Sequence, residues 1–113
     1  MSFITREELD GKVVVIEVPR RLYMDSSDNF RTLLSELVEQ GKFQLVIDLS
    51  KTKFIDSTGL SAMLSRIATT RSNQGDIRLA APSSFVQELL ELTQFNQIIK
   101  CFKDVHSAVE SFK

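Results

Sequence analysis

The chain has few of the residues that form disulfide bonds or bind metal ions. Its 113 residues include one cysteine, one histidine and no tryptophan. The single cysteine, Cys101, cannot form an internal disulfide, so we expect a reducing cytoplasm as the compartment. One cysteine and one histidine cannot supply a zinc site. A carboxylate site for magnesium or calcium stays open, although no EF-hand-like spacing occurs. We expect no cofactor.

Long apolar runs and an excess of one charge are also missing. No run approaches the roughly 20 apolar residues that span a bilayer, and the first residues lack the order of a secretory signal, so we expect no membrane insertion. Fourteen basic and 15 acidic residues give a net charge of -1, which argues against a broad nucleic-acid surface. The length and composition predict one globular domain over residues 1–113.

The pattern that is present alternates strands and helices. The run over residues 4–18 is rich in valine and isoleucine and is broken by Asp10-Gly11, which predicts a hairpin of strands 4–9 and 13–18. Pro19 ends the second strand. Further strands are predicted at 43–49, 77–81 and 98–102, the first of them buried and central.

Helical spacing of apolar residues separates these strands. The first helix is predicted to be capped within Asp25-Ser26-Ser27 and to end at Gly41. One continuous second helix is predicted from Leu60 to the residue before Gly75, with Ala68 on its apolar face. Pro82-Ser83-Ser84 opens a third helix, in which Ser84 and Gln87 have capping-box spacing and Phe85 is apolar-facing. Asp104 caps the last helix.

This order favours an α/β domain with a largely parallel sheet. Two strands come first, then helix and strand alternate three times, and a helix ends the chain. The opening hairpin makes the sheet mixed. We therefore predict four or five strands and about four helices.

Residues 56–60, Asp-Ser-Thr-Gly-Leu, lie where a loop enters the second helix. Either Asp56 or Ser57 can accept hydrogen bonds from the free N–H groups of the first turn. Gly59 costs a helix up to about 1 kcal/mol relative to alanine, which close approach by another molecule would offset. Ser57 fits an N-cap. It also fits a phosphoryl acceptor, because a helix N-terminus favours a phosphate.

The outer face of the same helix carries small polar side chains. Ser61, Ser65, Thr69 and Ser72 recur about once per turn, and Thr58 and Ala62 lie beside them. Such a face allows close approach by a partner. It also fits an ordinary solvated helix face.

The sequence contains no constellation of catalytic residues, and we expect no enzyme. A serine nucleophile needs a base within reach, and the only histidine, His106, is predicted to face solvent on the last helix. The Gly-x-Ser-x-Gly elbow and the glycine-rich phosphate loops are also absent.

Two segments carry a resemblance to a known family. Residues 46–49, Val-Ile-Asp-Leu, followed by residues 54–60, Phe-Ile-Asp-Ser-Thr-Gly-Leu, resemble the signature of STAS domains, especially bacterial anti-sigma factor antagonists. The resemblance implies a switch protein that binds an anti-sigma factor with serine kinase activity while it is unphosphorylated. It implies phosphorylation at Ser57, with Thr58 as second choice, then release of the partner and resetting by a PP2C-type phosphatase. ATP and magnesium belong to the kinase.

The sequence departs from the family after the second strand. Members often carry Gly-x-Leu-Asp there, whereas this chain has Arg20-Arg21-Leu22-Tyr23. The arginines are either solvated loop charges or partners for a phosphate on Ser57. The predicted partner-binding surface combines both segments: Asp56, Ser57, Thr58, Gly59, Ser61, Ala62, Ser65, Arg20, Arg21 and Tyr23.

Two other functions stay open at this point. A STAS protein can serve as a scaffold or as a transporter-associated subunit without controlling a sigma factor. A small-molecule-binding module would show a deep apolar pocket near Ser57 and Tyr23. The sigma factor, the signal and the oligomeric state are not identified.

Overall fold

The computed structural model describes residues 3–113. Its main sheet has the strand order β1-β2-β4-β6-β7, and a separate two-stranded sheet pairs β3 with β5. The strands are β1 (Ile4–Glu8), β2 (Val13–Glu17), β3 (Arg21–Leu22), β4 (Gln44–Asp48), β5 (Phe54–Ile55), β6 (Asp76–Ala80) and β7 (Cys101–Phe102). The helices are α1 (Asp25–Glu39), α2 (Ser57–Leu64), α3 (Ile67–Ser72), α4 (Ser84–Leu92) and α5 (Val105–Glu110), with a 3₁₀ turn at Phe95–Gln97.

The main sheet confirms the mixed α/β architecture. β1 pairs antiparallel with β2 through the predicted hairpin, and the other neighbours in the sheet are parallel. β4 is central and buried, as its apolar run indicates. Because the following segments cross over to parallel strands, the loops after β4 and β6 leave from the same edge of the sheet.

Alternating side chains divide the apolar residues between the two faces of the sheet. The larger core lies under α1, α2 and α4 and includes Ile16, Ile47 and Phe30. The smaller core lies under α5 and includes Val46 and Val109. Both faces of the central strands are therefore covered, which explains their nearly continuous apolar sequence.

The prediction of one continuous second helix is wrong. The helix stops at Leu64 and resumes at Ile67. The Ser65 hydroxyl donates to the Ala62 carbonyl at 2.7 Å, and the Arg66 guanidinium donates to the Ser65 carbonyl at 2.9 Å. These side chains compete with the backbone ladder and end the helix. The break divides the predicted face of small polar residues between two helices.

Two of the predicted helix starts need correction. α1 has no side-chain cap within Asp25-Ser26-Ser27; the residue before it, Met24, has φ 51°. α4 is capped by Ser83 instead of Ser84, and the Ser83 hydroxyl accepts from the Val86 N–H at 3.3 Å. The cap of α5 is confirmed, since Asp104 accepts from the Ser107 N–H at 2.7 Å.

Two residues assigned to apolar faces are exposed. Ala68 lies on the outside of α3, and Phe85 on the outside of α4. His106 is exposed on α5, as predicted. Over residues 3–113, no helix is long and apolar enough to cross a membrane, and no group of three His, Cys, Asp or Glu side chains could hold a metal ion.

Candidate docking surface at the start of α2

The two-stranded sheet fixes the loop that precedes α2. β3 and β5 are parallel, with Arg21 opposite Phe54 and Leu22 opposite Ile55. The Arg20 carbonyl accepts from the Lys53 N–H at 2.8 Å. The segment that departs from the STAS pattern therefore lies directly beside the residues that lead into Asp56.

Asp56 is the N-cap of α2. Its Oδ1 accepts from the Gly59 N–H at 3.0 Å and from the Thr58 hydroxyl at 2.6 Å. The Thr58 hydrogen bond, together with the backbone N–H groups, lowers the pKa of the Asp56 carboxyl. Of the two caps that the sequence allows, the structure uses Asp56.

Ser57 is thereby left free at the first position of the helix. Its side chain is exposed, and its hydroxyl forms no hydrogen bond with any of residues 3–113. A hydroxyl in this position is accessible to another protein, and no internal contact holds it.

Thr58, in contrast, is held by three internal contacts. Besides donating to Asp56, its hydroxyl oxygen accepts from the Met24 N–H at 3.1 Å and lies 3.0 Å from the Oγ of buried Ser27. This hydroxyl joins the first turn of α2 to the first turn of α1. It also accepts from the N–H of Met24, the residue that directly precedes α1.

The structure corrects the exposure assumed for two residues of the predicted surface. Gly59 is buried, and a Cβ added there would lie 2.4 Å from the Leu22 carbonyl oxygen and 2.9 Å from Ile55 Cγ2. Close approach by β3 of the same chain, instead of another molecule, requires this glycine. Ala62 is fully buried in the core.

Ser61 in α2 and Ser65 directly after it are both hydrogen-bonded within the chain. The exposed Ser61 hydroxyl accepts from the Arg31 guanidinium of α1 at 2.8 Å. Ser65 is half-buried, and its hydroxyl is bound to the Ala62 carbonyl. The face is therefore narrower than the sequence predicts, and an arginine covers part of it.

A shallow concavity of about 500 Å³ adjoins Asp56. The guanidinium carbons of Arg20 and Arg21 lie 5.9 and 5.8 Å from the Phe54 ring centroid, within the range of cation–π contact. A small-molecule-binding module would have a deep apolar pocket here, whereas this concavity is open to solvent. Its lining residues are Arg21, Tyr23, Phe54, Ile55, Asp56 and Phe85.

Two phenylalanines of this concavity, Phe54 and Phe85, are absent from the surface that the sequence predicts. Phe54 is 47% exposed and Phe85 is 61% exposed, whereas Tyr23, which belongs to the predicted surface, is 37% exposed. Exposed aromatic side chains beside arginines are typical of protein-binding surfaces. The sequence signal that could have identified Phe54 is its position two residues before Asp56.

Replacing Asp56 should change the acid sensitivity of the fold. Because the folded pKa of Asp56 is lowered, its stabilisation is complete above the unfolded value of about 3.9 and is lost as the pH falls through the folded value. We expect Asp56→Asn to show a smaller loss of stability than wild type between about pH 5 and pH 3. Urea unfolding midpoints at both pH values measure this loss.

Asp104 supplies the control for this experiment. Its pKa is lowered mainly by the Ser107 backbone N–H, so Asp56→Asn should retain part of the acid sensitivity and Asp104→Asn should remove a comparable part. The same pH dependence in Asp56→Asn and wild type would contradict the role assigned to this carboxylate.

Comparison with known proteins identifies the family. The family model of the STAS domain matches residues 5–108, and the chain belongs to this family. A Bordetella bronchiseptica protein named "Putative anti-sigma factor antagonist BtrV" is 24% identical over 110 residues, which cover 97% of this chain and 94% of that protein. The resemblance noted on residues 46–49 and 54–60 is confirmed at the level of the family.

Solved structures share the fold over nearly the whole chain. A crystal structure described as "a putative anti-sigma factor antagonist" from Thermotoga maritima has a TM-score of 0.86 at 24% identity and covers 97% of this chain and 93% of that chain. The anti-sigma factor antagonist SpoIIAA in its unphosphorylated form has a TM-score of 0.81 at 20% identity, covering 97% and 95%.

The same fold also occurs inside a much larger protein. The murine anion transporter Slc26a9 has a TM-score of 0.71 at 21% identity, covering 89% of this chain but 18% of the transporter. At these identities the likeness concerns the fold alone.

Proposed function

We propose that this chain is an anti-sigma factor antagonist that docks on its anti-sigma factor through the surface around the start of α2 and is released when Ser57 is phosphorylated. The observation that carries the proposal is the exposed Ser57 hydroxyl, which no residue of the described chain binds. It stands at the start of α2, in the segment whose sequence resembles the STAS signature and within the residues that the family model matches.

The proposed cycle assigns all catalysis to the partners. The anti-sigma factor is a serine kinase that supplies ATP and magnesium, and a PP2C-type phosphatase removes the phosphate. The chain itself contributes a binding surface and an acceptor hydroxyl in the bacterial cytoplasm. This assignment agrees with the surroundings of Ser57, where hydrogen-bonded Asp56 and Thr58 already have structural roles.

Phosphorylation would change the surface potential without requiring a change of fold. A phosphate adds about -1.5 to -2 charge at neutral pH. The free N–H groups and the dipole of α2 tolerate an anion at this end of the helix. Asp56 already carries a negative charge beside the site, so the local potential becomes strongly negative.

The docking surface extends from Ser57 into the concavity. Arg21, Phe54 and Phe85 line that concavity together with Tyr23. Arginine and aromatic residues dominate the energetics of many interfaces, because they bury large areas while retaining polar contacts. We propose these residues as the part of the surface that gives affinity, and Ser57 as the part that gives control.

Mapping the modified residue tests the proposal directly. We expect incubation with the cognate anti-sigma factor and ATP to add one phosphate, which fragmentation mass spectrometry places on Ser57. Thr58 should stay unmodified, since its hydroxyl is bonded to Asp56 and Met24. Ser57→Ala should then take up no phosphate. A phosphate on Thr58 of the wild-type chain would contradict the proposed order of the two acceptors.

A further inference from the structure

Two arginine–serine contacts join α1 to α2 and to the turn after it. The Arg31 guanidinium of α1 donates to Ser61 of α2 at 2.8 Å, and Arg66 donates to Ser35 of α1 at 3.1 Å. Among the ion pairs formed by residues 3–113, neither arginine takes part. The hydrogen bonds that each guanidinium forms within residues 3–113 therefore go to neutral oxygens, although a charged acceptor would bind it more strongly.

Helix geometry places Arg31 next to the proposed phosphorylation site. Ser57 and Ser61 are four residues apart on α2, so their side chains lie on one face with about 5–6 Å between the Cβ atoms. Side chains on a helix lean toward its N-terminus, which directs the Ser61 hydroxyl and the guanidinium bound to it toward Ser57. A phosphoryl group on Ser57 would extend into the same space.

We propose that Arg31 is the intramolecular receptor for a phosphomonoester on Ser57. The inference rests on the proposed function for the origin of that phosphate. In the transfer, Ser57 Oγ forms the new bond to the γ-phosphorus of ATP, the bridging bond to ADP breaks, and the hydroxyl proton is released. Arg31 then leaves the neutral Ser61 hydroxyl and binds the phosphate dianion.

The chemistry of the two acceptors favours this exchange. Arginine binds phosphate through two parallel charge-assisted hydrogen bonds, which are roughly twice as strong as bonds between neutral groups. Arg20 and Arg21 are the rival cations, and their guanidinium groups are placed over the Phe54 ring. Arg31 is held by one hydrogen bond to a neutral, exposed hydroxyl.

The exchange would reinforce the switch. In the unmodified chain Arg31 is half-buried, forms no ion pair with any of residues 3–113 and binds the exposed Ser61 hydroxyl. After phosphorylation the Arg31 charge is paired internally, and the surface gains the excess negative charge of the phosphate. One modification would then remove a cation from the docking surface as well as add an anion to it.

The test needs neither kinase nor partner. Phosphoserine is incorporated at position 57 during synthesis of the full chain, and a ³¹P chemical-shift titration reports the second pKa of the phosphate, which is about 6 without neighbouring charge. We expect this pKa in Arg31→Gln to be higher than in wild type by about 0.5 to 1 unit, because an adjacent cation favours the dianion. Arg31→Lys should give an intermediate value, since lysine cannot form the paired bonds.

Arg66→Gln is the matched control, because it removes the same kind of arginine–serine contact one turn away. It should leave the phosphate pKa at the wild-type value. The carboxylates nearest in sequence, Asp56 before the site and Asp28 one turn before Arg31, are the same in all these proteins. Circular-dichroism melts of the unmodified variants check that each is folded.

Equal phosphate pKa values in wild type and Arg31→Gln would overturn the proposal. So would a rise in pKa that appears in Arg21→Gln and not in Arg31→Gln, since it would assign the phosphate to Arg21 of β3. A shift of the Arg31 Nε–H resonance on phosphorylation of the otherwise wild-type chain supports the proposal, and its absence contradicts it. Because no partner is present, these results are separate from whether Ser57 controls docking.

Discussion

Ser57→Asp should weaken binding to the anti-sigma factor by about 30- to 1000-fold. A charge placed inside an interface without a partner costs about 2–4 kcal/mol of binding free energy. At about 1.4 kcal/mol for each tenfold change in Kd, this cost corresponds to the stated range. Titration calorimetry with the cognate anti-sigma factor measures the two Kd values directly.

Two controls separate the position of the charge from its presence. Ser57→Ala should bind as wild type does while accepting no phosphate, because the Ser57 hydroxyl makes no internal hydrogen bond. Ser72→Asp adds the same charge at the exposed end of α3, which precedes β6 and so lies at the opposite edge of the sheet. It should leave the Kd unchanged. Equal affinity of Ser57→Asp and wild type would rule out control through this residue.

Gly59→Ala should destabilise the fold by about 3 kcal/mol, near the upper end of the usual cost of overpacking. The added Cβ would meet the Leu22 carbonyl oxygen at 2.4 Å, and a backbone atom paired in the β3–β5 sheet cannot move without disturbing that sheet. The steric cost alone would be larger, because alanine stabilises a helix by about 1 kcal/mol relative to glycine and so offsets part of it. Urea unfolding at neutral pH measures the change.

Ser57→Ala is also the control for this second prediction. It introduces the same side chain in the same turn of α2, but at an exposed position where the serine hydroxyl forms no hydrogen bond with residues 3–113, so its stability should stay within about 0.5 kcal/mol of wild type. If Gly59→Ala were as stable as Ser57→Ala, the glycine would not be required by packing against β3. The original interpretation, close approach by another molecule, would then regain its support.

Local patterns were sufficient for much of the fold. The Asp10-Gly11 hairpin, the buried strand before Asp48 and the Asp104 cap each depend on residues adjacent in sequence, and the structure contains all three. The helix-opening motif at Asp56 and Ser57 is equally local. Its two alternatives differed only in which side chain accepts the hydrogen bond.

The features that the sequence analysis missed depend on distant contacts. The break after Leu64 involves Arg66, whose guanidinium also reaches Ser35, 31 residues earlier in the chain. The need for Gly59 arises from a carbonyl on β3, a strand of two residues that is too short to show any periodicity. Phe85 has helical spacing with the core residues of α4, yet its side chain is exposed, which spacing along one helix does not reveal.

The small β3–β5 sheet has a consequence for how partner choice can change among related chains. Its hydrogen bonds come from main-chain atoms, and of its β3 residues only Leu22 is buried in the core. The outward side chains at Arg20, Arg21 and Tyr23 can therefore be replaced while the five-stranded scaffold and the capped helix stay as they are. New binding specificity at this corner would require changes in a few exposed positions and no redesign of the domain.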